Sequence, residues 1–153
     1  MTLPRTDRAE RRIAATAPRV FACWTDPARL VRWLPPQGMS ARVDVFEPQV
    51  GGSFRLVLTY DDPAFQGKSG NSTDIIAGQF VAMDPPRHLA FVSRFQSDDP
   101  AMQGDMRMDW HFEPHGPATL VRITASNVPP GISAMDHAMG MDSSLAQLAA
   151  LVE

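Results

Sequence analysis

Cysteine is nearly absent. Cys23 is the only one in 153 residues, so no internal disulfide can form. A lone thiol fits a reducing compartment, and a cytoplasmic location is expected. Long apolar runs are missing too: none approaches the roughly 20 residues that span a bilayer. Met1 to Arg8 holds no apolar stretch of the kind a secretory signal needs. Charge of one sign is also lacking. Lys and Arg number 14 against 17 Asp and Glu, for a net charge of -3, and the arginines are scattered, mostly opposite acids. That excludes the basic stripe of a nucleic-acid binder. The motifs Gly-x-Ser-x-Gly, His-Glu-x-x-His and Cys-x-x-Cys do not occur, which removes the hydrolase elbow, the zinc-protease helix and the redox dithiol. Gly51-Gly52 lacks the Lys-Ser/Thr of a phosphate loop and leads into a strand, so it reads as a turn. No cofactor is expected. Without repeats, low-complexity tracts or linkers, residues 1–153 read as one domain, with 1–7 as a loose tail.

What the chain does have is apolar surface, proline and methionine. Hydrophobic residues make up 44% of it, enough for a true core at this length. The 14 prolines fall mostly between elements, as punctuation. The methionines gather at 102–108 and 135–141, and such side chains suit irregular, adaptable apolar walls.

Residues 8–16 are predicted as a first strand, at an edge because of its charge. Pro18 marks a helix start, and Val20, Phe21 and Trp24 recur at helical spacing. Asp26-Pro27 is an N-cap and first-turn signal for a second short helix with Leu30, Trp33 and Leu34 as its apolar face. Pro35-Pro36 ends it. Strands are predicted at Ala41–Phe46, Ser53–Tyr60 and Thr73–Met83. In the second, Phe54, Leu56, Leu58 and Tyr60 face inward. The third has no clear period, since Ile75 and Ile76 are both apolar. Asp61–Ser72 and Gln96–Gly104 read as polar loops. Leu89, Phe91 and Phe95 line one face of a further strand.

The cleanest alternation is Met106, Met108, Trp110 and Phe112 against Asp105, Arg107, Asp109, His111 and Glu113. It describes an antiparallel strand with one buried and one solvated face. Thr119–Ser126 returns with Val121, Ile123 and Ala125 inward. Ser133 with Asp136 opens a closing helix. Ala134, Ala138, Met141, Leu145, Leu148, Ala149 and Val152 share its inner face, and Asp136, Ser143 and Gln147 the outer one. The order is therefore a strand, two short helices, about six antiparallel strands and a long helix. That is an α+β chain whose curved sheet must bury one face against the only element long enough, the C-terminal helix.

Laid out so, the chain resembles the helix-grip superfamily of lipid-transfer and pollen-allergen-like domains (SRPBCC, START-like). Within it, the likeness is to the branch named for the activator of the heat-shock-protein-90 ATPase. The matching pieces are Ile13 with Ala17-Pro18-x-Val20-Phe21, Trp24-Thr-Asp-Pro27, Trp33-x-Pro35, Gly51-Gly-x-Phe54-Arg55, Gly78-x-Phe80, Asp84-Pro-Pro-Arg87 and Ser144-Leu-x-x-Leu148. They run in order over roughly residues 8–152. Members often carry Gly-Trp in the closing helix where this chain has Gly140-Met141. The resemblance implies a sheet wrapped around the C-terminal helix and a habit of enclosing a ligand. It implies no particular activity, because relatives include lipid carriers, hormone sensors, cyclases, a co-chaperone domain and many bacterial proteins.

The residues expected to line a pocket are Trp33, Phe54, Tyr60, Phe91, Met106, Met108, Trp110 and Met141, with Tyr60, Ser93 and His137 orienting a small apolar or amphipathic ligand. No catalytic residue is assigned. His137 and Asp142 flank the inner stripe and read as solvent-edge side chains. His111, Glu113 and His115 alternate on one side, and two histidines with a carboxylate can bind metal. Pro114 and Gly116 end the strand there, so they read as a chance surface cluster and no metal is expected. Cys23 reads as a buried, inert thiol with no neighbouring base. Three functions stay open: a carrier or sensor; a cyclase- or hydrolase-type enzyme with His137 or Asp142 turned inward; and a protein-interaction module with a closed core and an exposed apolar patch. Self-association through an edge strand or helix is compatible with the pattern.

Overall fold

A computed structural model describes residues 5–61, 73–95, 100–102 and 104–153. Strand β1 (Thr6–Ile13) is followed by helices α1 (Ala17–Thr25) and α2 (Pro27–Trp33). Six strands come next: β2 (Met39–Phe46), β3 (Ser53–Tyr60), β4 (Thr73–Asp84), β5 (His88–Phe95), β6 (Met106–His115) and β7 (Ala118–Ser126). A 3-10 turn at Pro100–Met102 precedes β6, and helix α3 (Ala134–Val152) closes the chain. This is the α+β helix-grip arrangement the pattern predicted. Strand β1 begins two residues earlier than expected, because Thr6 and Asp7 pair with Ser126 and Ala125. Most of the loop at 61–72, with Phe65, and residues 96–99 and 103 of the next loop lie outside the described residues.

Local chemistry sets the helix boundaries. Asp26 ends α1, its backbone N–H donating to the Ala22 carbonyl, and starts α2, where its Oδ1 accepts from the Ala28 N–H at 3.0 Å. One residue thus caps both helices and fixes the corner between them. Ser133 Oγ accepts from the Asp136 N–H at 3.1 Å and opens α3. Gln147 does not face solvent as its spacing suggested. Its Nε2 donates to the carbonyls of Trp33 and Pro35, satisfying groups that the end of α2 leaves without partners. Ala134, expected inside, is exposed in the first turn of α3.

The strands form one antiparallel sheet in the order β1-β7-β6-β5-β4-β3-β2. Two features blur the period of β4: Ile75 is an apolar residue on the outer face, opposite Val57, while Ile76 faces inward opposite Leu56, and a bulge lies between Phe80 and Ala82. Phe80 pairs with Phe91 and Met83 with Leu89, so the inward set changes from even to odd numbers within the strand. Gly78 meets a close approach: a Cβ there would come within 2.4 Å of the Val92 carbonyl and 2.7 Å of the Phe54 ring. Gly51, at φ +85°, turns the chain into β3. Helix α3 lies beside β1, α1 against β6 and β7, and α2 against β2.

Candidate functional site

The strand register assembles most of the expected pocket residues on one surface. Phe54, Gly78, Ser93 and Met106 form a row across β3 to β6. Phe80, Phe91, Met108, Ala125 and Asp7 form the next, from β4 to β1. Met83, Leu89, Trp110 and Ile123 form the third. All three rows face inward, since Phe54, Phe80, Phe91, Trp110 and Ile123 are buried together in the core.

Rings fill the middle of this surface. Trp24 from α1 packs at centroid distances of 5.2 to 5.6 Å on Phe91, Trp110 and Trp33. Phe54 continues the chain to Phe91 at 5.0 Å and Phe80 at 5.3 Å. Most of these contacts are edge-to-face or tilted, the arrangement that the ring quadrupole favours. Trp33 Nε1 donates to the Cys23 carbonyl at 3.0 Å. The indole N–H groups of Trp24 and Trp110 are buried and have no partner among the described residues. Trp24, outside the residues expected to line a pocket, thus packs among the rings of Trp33, Phe91 and Trp110.

The remaining members lie around this nest. Met106, Met141 and Ser93 are buried, and Met108 is half-buried. Tyr60 is half-buried at the far end of β3, opposite Met39. His137 is not at the solvent edge. Its side chain is 13% exposed, and its Nδ1 bonds Asp7 Oδ2 at 2.8 Å. Arg5 donates to the same oxygen at 3.2 Å and to the Ile132 carbonyl. Asp142 is exposed, as expected. Asp74, which no motif or period singles out, is a buried carboxylate opposite Leu58. Two surface depressions, of about 250 and 430 Å³, are lined by other residues. The smaller gathers Arg19, Arg29 and Arg32 near Cys23. Burial pushes the Cys23 thiol up, against the lowering charges of those arginines.

On the outer face, the expected strand-wise group is divided. Glu113 takes Arg122 at 3.2 Å, with His115 at 3.8 Å. His111 instead stacks on His88, with ring centroids 4.3 Å apart. Its basicity is lowered, first by the partial desolvation of the stacked ring and then by the neighbouring His88 charge. Asp109 is held below the usual carboxylate range. Burial opposes this, but hydrogen bonds from Arg107 and His88 outweigh it.

Comparison with known proteins agrees with this fold. The family model described as Activator of Hsp90 ATPase homolog 1-like protein matches residues 14–153. A crystal structure of a protein from Chromobacterium violaceum is 28% identical, with a TM-score of 0.85, and the match covers 97% of this chain and 96% of that one. A solution structure from Arthrobacter aurescens is 23% identical with a TM-score of 0.80, covering 95% of this chain and 84% of that one. A crystal structure from Rhodobacter sphaeroides is 24% identical with a TM-score of 0.76, covering 95% and 91%. No curated protein matches. No helix among the described residues is long and apolar enough to cross a membrane.

Proposed function

The chain belongs to the family of activator of Hsp90 ATPase homolog 1-like proteins, and on that premise we propose that it binds a small apolar or amphipathic molecule between the sheet and α3, as a carrier or sensor. The observation that carries this reading is the pair of buried, unpartnered indole N–H groups on Trp24 and Trp110. An unpaired buried donor costs about 1–3 kcal/mol. A ligand with an acceptor oxygen relieves that cost where an aliphatic chain does not. Trp33, Phe54, Phe91 and Trp110 supply apolar area, and Met106, Met108 and Met141 a wall that repacks around different shapes. Ser93, Tyr60 and His137 are the polar groups that orient the molecule. Asp7 engages His137 Nδ1, leaving Nε2 for a ligand.

The His137–Asp7 pair also favours a second reading, a small-molecule enzyme, because a carboxylate on one imidazole nitrogen orients the other as a base. Turnover of a bound compound that disappears in His137→Gln separates the two.

The test is thermal stability of the purified protein against fatty acids, sterols, aromatic polyketides and flavonoids. A true ligand raises Tm with concentration. It also moves the Trp24 and Trp110 indole NMR signals while the Trp33 signal, tied to Cys23, stays in place. Met141→Trp, which fills the wall, abolishes the shift. No stabilisation across the panel overturns the reading and turns the search to protein partners.

A further inference from the structure

We propose that His88, Asp109 and His111 form a binding site for a divalent transition-metal ion of the zinc type on the outer face of the sheet. The proposal is independent of the ligand reading, which concerns the opposite face.

Strand pairing builds the site. His88 opens β5 and stands directly opposite His111 on β6. Asp109 lies two residues before His111, so the pleat puts both on one face. His88 Nε2 and Asp109 Oδ1 are 2.8 Å apart. The three ligand atoms lie within 4.8 Å of one another. Two imidazole nitrogens and one carboxylate oxygen suit Zn²⁺, Ni²⁺ or Cu²⁺, whereas Ca²⁺ and Mg²⁺ favour oxygen donors.

The geometry also states what must move. A tetrahedral ion with bonds of about 2.0–2.1 Å holds its donors roughly 3.4 Å apart. His88 and Asp109 are already nearer than that, so the ion enters between them in place of their hydrogen bond. The imidazole rings are near parallel, at 11°. One ion cannot lie in both ring planes, so one ring must turn. His111 is exposed and can do so without disturbing the core. The fourth position stays open to water, as in zinc sites with three protein ligands.

Charge tunes the site. Arg107 grips Asp109 through Nε to Oδ2 at 3.0 Å and Nη2 to Oδ1 at 3.2 Å. It orients the carboxylate but repels a dication. Arg122, opposite His111 on β7, is partnered by Glu10 and Glu113. Asp84, opposite His88 on β4, adds a negative field. The carboxylate grip of Arg107 is therefore the main obstacle to binding.

The experiment titrates chelator-stripped protein with ZnCl₂ by calorimetry at pH 7.5 and with CoCl₂ by visible absorption. One Zn²⁺ per chain is expected, with the intense d–d band of tetrahedral Co²⁺. His111→Ala weakens binding at least about ten-fold and removes the band. Arg107→Ala tightens binding, because Asp109 is released to the metal. His115→Ala changes nothing, which separates this cross-strand group from the strand-wise one. Absence of Zn²⁺ binding, equal affinity in His111→Ala, or loss in His115→Ala overturns the proposal.

Discussion

Trp33 and Trp110 share one ring nest, 5.6 Å apart, yet their N–H groups have opposite fates. Trp33 donates to Cys23, and Trp110 donates to nothing described. Trp33→Phe therefore removes a made hydrogen bond and leaves the Cys23 carbonyl unpaired, in addition to the volume lost. Trp110→Phe removes only an unpaired donor and the volume. Trp33→Phe is expected to be the more destabilising by about 1–2 kcal/mol in urea unfolding. Equal losses would mean that the Trp110 donor is satisfied. Cys23 offers a second check at this scale. Folding raises its pKa, so the native thiol holds its proton more tightly than the unfolded one. Above the unfolded pKa, rising pH therefore erodes this group's share of stability until the folded value is passed. Iodoacetamide at pH 9 should modify the native protein far more slowly than the denatured one.

At the scale of elements, legibility followed periodicity. Strand β6 could be read from its sequence because Met106, Met108, Trp110 and Phe112 keep an unbroken period of two. Strand β4 could not, because Ile75 places an apolar residue on its outer face and the bulge after Phe80 reverses its inward set midway. The corner between α1 and α2 was visible in Asp26-Pro27, and Asp26→Ala should cost about 1 kcal/mol through loss of the cap to α2. Gly78→Ala should cost considerably more, about 1–3 kcal/mol or beyond, because its methyl group collides with backbone and with Phe54. Thermal unfolding of the two variants side by side tests that ranking. The candidate site was legible where it followed one strand and hidden where it depended on pairing. His88 and His111 meet only because β5 and β6 pair in that register. Trp24 joins the nest from α1, and no spacing within one helix reveals that an indole donor has been left alone.

The molecule as a whole is closed by α3 lying along β1. The helix is held at its start by His137 on Asp7 and at its end by Glu153, whose Oε2 accepts from the Ala14 N–H at 3.0 Å. Helix and strand thus run in the same direction, clasped at both ends. The two clasps differ in burial. Asp7→Ala leaves His137 and Arg5 without their shared acceptor in a nearly buried position, and about 2–3 kcal/mol should be lost. Glu153→Ala removes an exposed bond and should cost under about 1 kcal/mol. Hydrogen exchange in the first turns of α3 should rise in the Asp7 variant and change little in the other. The same arrangement has an optical consequence. All three tryptophans of the chain lie within 5.6 Å of one another, crossed at steep angles in the interior. Chromophores so close and so oriented couple, which makes the protein's near-ultraviolet dichroism and its emission the signature of a single location. Whatever enters, loosens or repacks the interior is recorded there, without a label.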